Sequence, residues 1–270
     1  MENIQFVIEN YNTLGIGNIL KCLISALSIN EDTVIRCDND YIYGQYDTVL
    51  DDKFICKDTV KNRERVYSCR LLILQEEDHL QKDIPSEEWY IGGLQNPKFH
   101  NYFSFSKRID WNYDSNKIHP IVKNRIFNII DKIIFKPIII DTVDRIYATF
   151  KDDNTLGISV RTWKSKHECD VNRPYNFEIY KAKIIEIKNI TKIVLSIDNE
   201  SFIDDYLQLF HELNIPYVVL AIDNLNDIQY AVCKMLLLSK CNYFIGNRIS
   251  TFSELVFWFS KHNINVFTVF

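Results

Sequence analysis

The sequence is poor in glycine and proline, with seven and six of its 270 residues, which excludes collagen-like and low-complexity chains. Its seven cysteines form no C-x-x-C pair and its six histidines form no zinc-type cluster. The odd number of cysteines also argues against a disulfide framework and favours a reducing compartment. No apolar run approaches the roughly 20 residues of a membrane span, and the N-terminus lacks the pattern of a signal peptide. We therefore expect a soluble, cytoplasmic protein without a transmembrane segment or a metal site.

An excess of positive charge is also missing, because the formal net charge is −5 and charges of both signs are mixed along the chain. A nucleic-acid-binding protein that relies on a global positive field is thereby disfavoured, and any anion site must be local. What the sequence does have is 47% hydrophobic residues. That fraction is enough to bury the core of one large domain or of two domains of about 130 residues each.

The second half of the chain alternates apolar strands with amphipathic helices. The predicted strands are 156–160, 192–197, 217–222, 243–245 and 265–269. The predicted helices are 175–187, 201–213, 227–239 and 251–261, with Ser201 and Asp227 as N-caps of the second and third. Strands that are nearly continuous in Val, Ile and Leu and alternate with helices are typical of a parallel sheet covered on both faces. We predict a Rossmann-like domain here.

The first half is less regular. Its predicted strands are 3–8, 33–36, 47–50 and 67–74, and its predicted helices are 17–29, 120–135 and 137–150. A charged break at 151–154 marks the predicted domain boundary, which gives an N-terminal domain 1–150 and a C-terminal domain 151–270. The expected fold class is α/β, with two Rossmann-like domains facing a central cleft. Ligands of such folds bind at the carboxyl ends of the strands.

The most informative motif is a predicted strand–loop–helix unit near the C-terminus. Gly246 and Asn247 are expected to break the strand, because both residue types tolerate the backbone angles of a tight turn. Three hydroxyl residues then surround the start of a helix, and they are Ser250, Thr251 and Ser253. Hydroxyls and unpaired N–H groups at a helix start form an anion site, and a phosphate is the expected occupant. The alternative is a simple N-cap, with Glu254 completing a capping box.

A turn containing glycine follows the first predicted strand, at Gly15, Gly17 and Asn18. Its spacing is not G-x-G-x-x-G, because Leu20 stands where the third glycine would be, and an NAD-linked enzyme is therefore disfavoured. One interpretation is that a ligand approaches the backbone closely at the two glycines. The other is a plain turn from strand to helix.

Two charged residues follow neighbouring predicted strands. Arg161 comes directly after the strand 156–160, where its planar fork can clamp a diphosphate. Basic residues continue in the polar loop after it, at Lys164, Lys166 and Arg173. The alternative is a solvated loop in which Arg161 forms a structural ion pair. Asp198 ends the next strand and is placed to accept a hydrogen bond from a sugar hydroxyl, or to belong to a cap loop before Ser201.

Together these segments resemble the fucosyltransferases. The run 135–161 is similar to the approach to their arginine motif, the run 244–253 to the last motif of the protein O-fucosyltransferases, and the run 14–18 to their N-terminal Gly-Asn motif. The same three motifs occur, with variation, in the α1,6-, α1,2- and nodulation fucosyltransferases, which are enzymes of the GT-B type with two Rossmann-like domains. The resemblance extends best from about residue 130 to 260.

The resemblance implies a role for each matching residue. Arg161 would bind the β-phosphate of a nucleotide sugar and stabilise the leaving diphosphate, and the residues around the helix start would hold the phosphates or the nucleoside. Asn18 would reach the donor from the first domain. With Arg173 from the basic loop, the candidate donor-binding residues are Gly17, Asn18, Arg173, Asp198, Asn247, Ser250, Thr251, Phe252 and Ser253.

The sequence departs from the family pattern at two places. The family's His-x-Arg-Arg reads Ser159-Val160-Arg161-Thr162 here, so a histidine and a second arginine are missing. Lys234 stands at about the place where many relatives have an acidic residue.

The resemblance implies an inverting glycosyltransferase that needs no metal and no cofactor. Its donor would be a nucleotide sugar, by default GDP-fucose, and its acceptor a hydroxyl of a glycan, a glycoconjugate or a protein. Arg161 would neutralise the departing diphosphate in place of a metal ion. Glu168 is the first candidate for the base that deprotonates the acceptor and Asp170 the second, or both are plain surface carboxylates. The alternative function is a non-catalytic nucleotide- or sugar-binding module with a degenerate glycosyltransferase fold.

Overall fold

The structure is a computed structural model. It describes residues 5–9, 15–27, 31–37, 45–56, 63–67, 120–151, 153–162, 175–247, 250–261 and 263–269. The chain divides into two compact units, Met1–Asp141 with Asn224–Cys233 and Thr142–Asp223 with Lys234–Phe270. The division into domains 1–150 and 151–270 stays a prediction.

The first unit contains a parallel sheet of three described strands, β1 (Gln5–Glu9), β2 (Thr33–Ile35) and β3 (Arg63–Tyr67), in the order β2-β1-β3. The helix α1 (Ile16–Leu27) connects the first two strands, and almost all of its described residues are buried. Parallel neighbours require such a crossover connection. Two further helices follow, α2 (Pro120–Ile130) and α3 (Pro137–Tyr147), and the second of them runs on into the other unit.

The strand predicted at 47–50 is wrong. Tyr46–Thr48 forms a short 3₁₀ helix, in which the Thr48 hydroxyl donates to the Gln45 carbonyl at 2.7 Å. Local hydrogen bonds of this kind compete with strand pairing in a short stretch. The strand predicted at 67–74 shares only Tyr67 with β3 (Arg63–Tyr67), and the remainder of the predicted range lies outside the described residues.

The second unit contains a parallel sheet of five described strands in the order β6-β5-β4-β7-β8. The strands are β4 (Thr155–Val160), β5 (Lys192–Ile197), β6 (Tyr217–Val219), β7 (Tyr243–Asn247) and β8 (Asn265–Val269). The helices between them are α4 (Phe177–Glu186), α5 (Ile203–Glu212), α6 (Asp227–Leu238) and α7 (Thr251–Phe259), and α6 begins in the first unit. Strand and helix alternation therefore gives the predicted Rossmann-like sheet.

The strand order reverses between β4 and β7. From β4 the chain moves outward on one side through β5 and β6, and α6 then carries it across to β7 and β8 on the other side. The register pairs Val160 with Ile197 and Ile158 with Ile245, so the carboxyl ends of β4, β5 and β7 lie at the same level. In open α/β sheets this reversal point is where ligands bind.

The core of the second unit explains why these segments form strands. All six residues of β4 are buried, as are five of the six in β5, so both strands carry apolar side chains to both faces of the sheet. Tyr180 from α4 and Tyr206 from α5 are fully buried against them. Such side chains each contribute about 1.5–3 kcal/mol when fully buried.

Both predicted helix caps are wrong by a short distance along the chain. Asn199, not Ser201, caps the 3₁₀ turn before α5, because its side chain accepts from the Ser201 N–H. At α6, the Asn226 Oδ1 accepts from the Gln229 N–H at 2.9 Å, and the Gln229 Oε1 accepts from the Asn226 N–H at 3.1 Å. This reciprocal pair is a capping box that leaves Asp227 as the first helical residue.

Within the described ranges, no helix combines the length and the apolar character needed to cross a membrane.

Candidate functional site

Two charged residues lie at the carboxyl ends of neighbouring strands in the second unit, as predicted. Arg161 follows the last residue of β4 and Asp198 follows the last residue of β5. Because Val160 pairs with Ile197, the two charged residues lie side by side at the carboxyl edge of the sheet. Adjacent strands of a sheet are about 4.8 Å apart. The end of β7, on the other side of β4, therefore lies about one strand spacing from the end of β4.

The Asp198 carboxylate binds the chain that leaves β4. Its Oδ1 accepts from the Thr162 backbone N–H at 3.0 Å and from the Thr162 hydroxyl at 2.9 Å. Its Oδ2 accepts from the Arg161 Nη1 at 3.3 Å. The ion pair considered for Arg161 is therefore present, and 38% of the arginine side chain remains exposed beside it. A hydrogen bond from Asp198 to a sugar hydroxyl stays a prediction.

A buried tyrosine, which the sequence analysis did not single out, anchors the backbone of the same strand end. The Tyr180 hydroxyl lies 3.5 Å from both the Arg161 N–H, which donates to it, and the Ser159 carbonyl, to which it donates. Burial raises the pKa of Tyr180, so the hydroxyl stays protonated at neutral pH. This contact cannot be predicted from a single tyrosine in a helical sequence pattern, because it depends on how α4 packs on the sheet.

The start of α7 is capped by Ser250. Its Oγ accepts from the Ser253 N–H at 3.5 Å, and Thr251 is the first helical residue. The alternative capping box with Glu254 is wrong, since the third helical position is Ser253 and the Ser250 N–H donates to the Asn247 carbonyl at 3.1 Å. The Glu254 Oε1 accepts from the Trp258 indole N–H at 3.4 Å.

The sequence led us to expect that β7 ends before Gly246, and this prediction is wrong. Gly246 and Asn247 pair with Thr268 and Val269 of β8, so the strand continues to its end. The glycine is required for another reason. A Cβ at this position would lie 2.5 Å from the Phe244 ring and 2.7 Å from the Ser253 Oγ. Glycine thus allows α7 to approach β7 closely.

Ser253 is the hydroxyl residue that lies deepest at this helix start. It is 1% exposed, and within the described residues its Oγ has no hydrogen-bond partner. Ser250 and Thr251 are partly exposed and therefore within reach of a bound molecule. Phe252 is also partly exposed, and Asn247 is buried at the end of β7.

Lys234 of α6 is a further charged residue near these strand ends. It is 8% exposed, and burial lowers the pKa of its ammonium group from 10.5 to about 8, while Asp198 and Glu200 act in the opposite direction. In the sequence Lys234 stands out only as a departure from a family pattern. Its burial depends on the packing of α6 and is not readable from the sequence.

We predict that Lys234→Met raises the free energy of unfolding at pH 7 by about 1–3 kcal/mol, because the folded protein no longer buries a charge. In the wild type the folded pKa lies below the unfolded one, so the unfolded state binds more protons between about pH 8 and 10.5. Wild-type stability should therefore rise with pH across this window. Urea unfolding at pH 7 and pH 10 measures both effects. The excess in unfolding free energy of Lys234→Met over the wild type should be smaller at pH 10.

The control is Lys188→Met, at an exposed position. A Lys234→Met protein that is less stable than the wild type at pH 7 would contradict the prediction.

Glu168, Asp170 and Arg173 lie outside the described residues. Gly17 is buried in the first turn of α1, and the side chain of Asn18 next to it is not described. Their roles stay predictions.

The expectation of a metal-independent protein rested in part on the absence of an Asp-x-Asp motif, and that premise is wrong. An acidic Asp-x-Asp triplet, the kind of motif that often binds a divalent cation in glycosyltransferases, is present as Asp38-Asn39-Asp40. It lies outside the described residues. Elsewhere, in the ranges that are described, no three His, Cys, Asp or Glu side chains come together to hold a metal ion.

The chain has the fold of the GT-B fucosyltransferases, as the sequence motifs predicted. It is similar to POFUT1 in complex with GDP-fucose, with 10% identity, coverage of 99% of this chain and 98% of that chain, and a TM-score of 0.54. It is also similar to the fucosyltransferase NodZ from Bradyrhizobium, with 16% identity, coverage of 93% and 91%, and a TM-score of 0.50. No protein-family model and no curated protein sequence matches the chain. At this identity the likeness concerns the fold.

Proposed function

We propose that this protein is an inverting, metal-independent glycosyltransferase that takes a nucleotide sugar as donor, with GDP-fucose as the first candidate. The observation that carries the proposal is the position of Arg161 and the α7 start. They follow neighbouring strands, β4 and β7, where the strand order of the second unit reverses. Both features attract phosphate, and they meet where such sheets bind ligands.

The donor chemistry requires this kind of site. When the sugar leaves, negative charge develops on the nucleoside diphosphate, and fixed positive groups that stabilise this charge accelerate the reaction. Arg161 offers a guanidinium that is 38% exposed and is oriented by Asp198. The α7 start offers backbone N–H groups and the positive end of a helix dipole. The Asp198 contact holds the guanidinium on the β5 side of β4 in this structure.

The base that deprotonates the acceptor hydroxyl is assigned to Glu168, with Asp170 as the second choice. Both follow Arg161 within ten residues of the sequence. Replacing each carboxylate by its amide would separate the two choices, because only the variant that has lost the base should transfer the sugar much more slowly.

The choice of a GDP-sugar is supported by two of the similar structures. One contains POFUT1 with GDP-fucose, and another is the NodZ α-1,6-fucosyltransferase soaked with GDP-fucose. A thermal-shift screen of GDP, UDP, dTDP and their sugars tests this choice, since a ligand that binds only the native state raises the melting temperature.

We predict that a nucleoside diphosphate binds much more tightly than the free nucleoside, because most contacts are made to phosphate. Thr251→Val should weaken GDP binding by about 1–3 kcal/mol, since it removes a hydroxyl donor from a charged acceptor. Titration calorimetry with GDP and guanosine measures both. The control is Thr149→Val, which also removes an exposed threonine hydroxyl that donates to a carbonyl, that of Ile146. Thr149 lies at the opposite edge of the sheet, where its own carbonyl accepts from Lys192 at the start of β5. Equal affinity for GDP and guanosine, or normal binding by Thr251→Val, would mean that α7 is merely a capped helix.

We predict that sugar transfer, or hydrolysis of the donor, survives excess EDTA. The physical reason is that Arg161 and the α7 start supply the positive charge that a divalent cation supplies elsewhere. A complete loss of activity that manganese restores would contradict metal independence. In that case Asp38→Asn and Asp40→Asn would test whether the triplet holds the ion.

The second candidate function, a binding module without catalysis, is favoured by one observation. Ser159 and Thr162 occupy the positions of the histidine and the second arginine in the related motif, and the Thr162 side chain binds Asp198 within the protein. Hydrolysis of nucleotide sugars by the purified protein separates the two functions. A catalyst releases free nucleoside diphosphate slowly even without an acceptor, whereas a binding module releases none.

A further inference from the structure

The Asp198 carboxylate holds the Arg161 guanidinium on one side of β4. The sheet order places β5 and β7 on opposite sides of β4, and Asp198 directly follows β5. The α7 start, where the proposed function places the phosphates, follows β7. Asp198 and a bound diphosphate would therefore draw the same guanidinium toward opposite sides of the strand.

The Asp198 carboxylate keeps other hydrogen bonds when the guanidinium leaves it. Its Oδ1 accepts from the Thr162 N–H at 3.0 Å and from the Thr162 hydroxyl at 2.9 Å, and its Oδ2 accepts from the same N–H at 3.2 Å. The bond from the Arg161 Nη1 to Oδ2 is the longest of these contacts, at 3.3 Å. Loss of this one bond does not leave a carboxylate without a donor, which would be the costly outcome.

Only the arginine side chain has to move in such an exchange. The Asp198 N–H donates to the Val160 carbonyl at 3.3 Å, and the Thr162 N–H is bound to the carboxylate, so the main chain is fixed on both sides of Arg161. The arginine side chain is 38% exposed and that of Asp198 21%. Adjacent strands are only about 4.8 Å apart, so a flexible arginine can carry its guanidinium from the β5 side of β4 to the β7 side.

We infer that Asp198 competes with the diphosphate for the Arg161 guanidinium. The inference rests on the proposed function. In a nucleotide-sugar donor the β-phosphate carries a single negative charge, and a further charge develops on it as the sugar leaves. The guanidinium is therefore drawn away from Asp198 more strongly in the transition state than by the bound donor, and this difference favours the reaction over tight donor binding. The same competition favours release of the diphosphate product.

The experiment is titration calorimetry of GDP on the wild type, Asp198→Asn and Thr162→Val. An asparagine keeps an oxygen for the two Thr162 bonds at Oδ1 and places an amide N–H group, which is a donor, against the Arg161 Nη1. The competition is then lost, and we expect Asp198→Asn to bind GDP about threefold more tightly or better. Damage to the fold would weaken binding, so a gain in affinity is not a structural side effect.

Thr162→Val is expected to act in the opposite direction. It removes the hydroxyl donor from Asp198, so the carboxylate pairs more strongly with Arg161 and GDP should bind about twofold more weakly. In the Asp198→Asn background the same change should have no effect on GDP affinity. The matched control is Asp205→Asn, which removes an exposed carboxylate in the first turn of α5 and should bind GDP as the wild type does.

The outcomes separate this inference from the proposed function. A wild type that binds no GDP or other nucleoside diphosphate would overturn both. A wild type that binds GDP, together with an Asp198→Asn protein of equal or weaker affinity, would overturn the competition alone, as would an equal gain in Asp205→Asn. If Asp198→Asn does not fold, Thr162→Val decides the question, because an affinity equal to or above that of the wild type in this variant would overturn the inference.

Discussion

Arg161→Ala is expected to lower the rate of sugar transfer by about a hundredfold or more and to leave the fold intact. A lost charged contact to the departing diphosphate typically costs about 3 kcal/mol or more in the transition state. The fold should tolerate the change because the arginine side chain is partly exposed and Asp198 keeps its two hydrogen bonds to Thr162. Steady-state rates measure the first effect, and thermal unfolding measures the second.

Two further variants sharpen this prediction. Arg161→Lys should restore little activity, since an ammonium group cannot reproduce the bidentate fork of a guanidinium. Arg145→Ala, at an exposed position of α3, is the matched control and should behave as the wild type. Turnover by Arg161→Ala within about twofold of the wild type would show that the arginine serves only its ion pair with Asp198.

Gly246→Ala is expected to destabilise the protein by about 2 kcal/mol or more. The new Cβ would lie 2.5 Å from the fully buried Phe244 ring and 2.7 Å from the Ser253 Oγ, so β7 and α7 must move apart. Overpacking of this kind typically costs about 1–3 kcal/mol and occasionally more. Because the shift moves the α7 start, GDP affinity should fall together with stability.

Thermal unfolding with and without GDP checks this prediction. We expect the melting temperature of Gly246→Ala to fall by about 5 °C or more, and its increase with GDP to be smaller than in the wild type. Gly15→Ala is the control for the loss of stability alone, because nothing lies within 4 Å of a Cβ at that glycine. A Gly246→Ala protein with wild-type stability would contradict the close approach of α7 to β7.

The elements that the sequence predicted best are those with strong apolar patterns. The strands Lys192–Ile197 and Asn265–Val269 have the predicted bounds. In Lys192–Ile197 five of the six residues are buried, so the apolar pattern is visible locally. The fold class followed from the alternation of such strands with helices, and the similarity to fucosyltransferase structures confirmed it.

The details that the sequence did not predict depend on contacts between distant segments. Gly246 looked like a turn residue, yet pairing with β8 keeps it in a strand and packing against Ser253 explains why it is glycine. Asp198 was a candidate for binding sugar, and its bonds to Thr162 arise only because β4 and β5 are neighbours. Lys234 is buried through the packing of α6, which no local pattern reveals.

The most direct test of the central claim is a crystal structure of the protein with GDP. We predict that the β-phosphate lies within about 3 Å of the Arg161 guanidinium and that the diphosphate accepts hydrogen bonds from N–H groups or hydroxyls at Ser250 and Thr251. A diphosphate bound at another edge of the sheet or in another part of the chain, with the Arg161–Asp198 ion pair unchanged, would contradict the account.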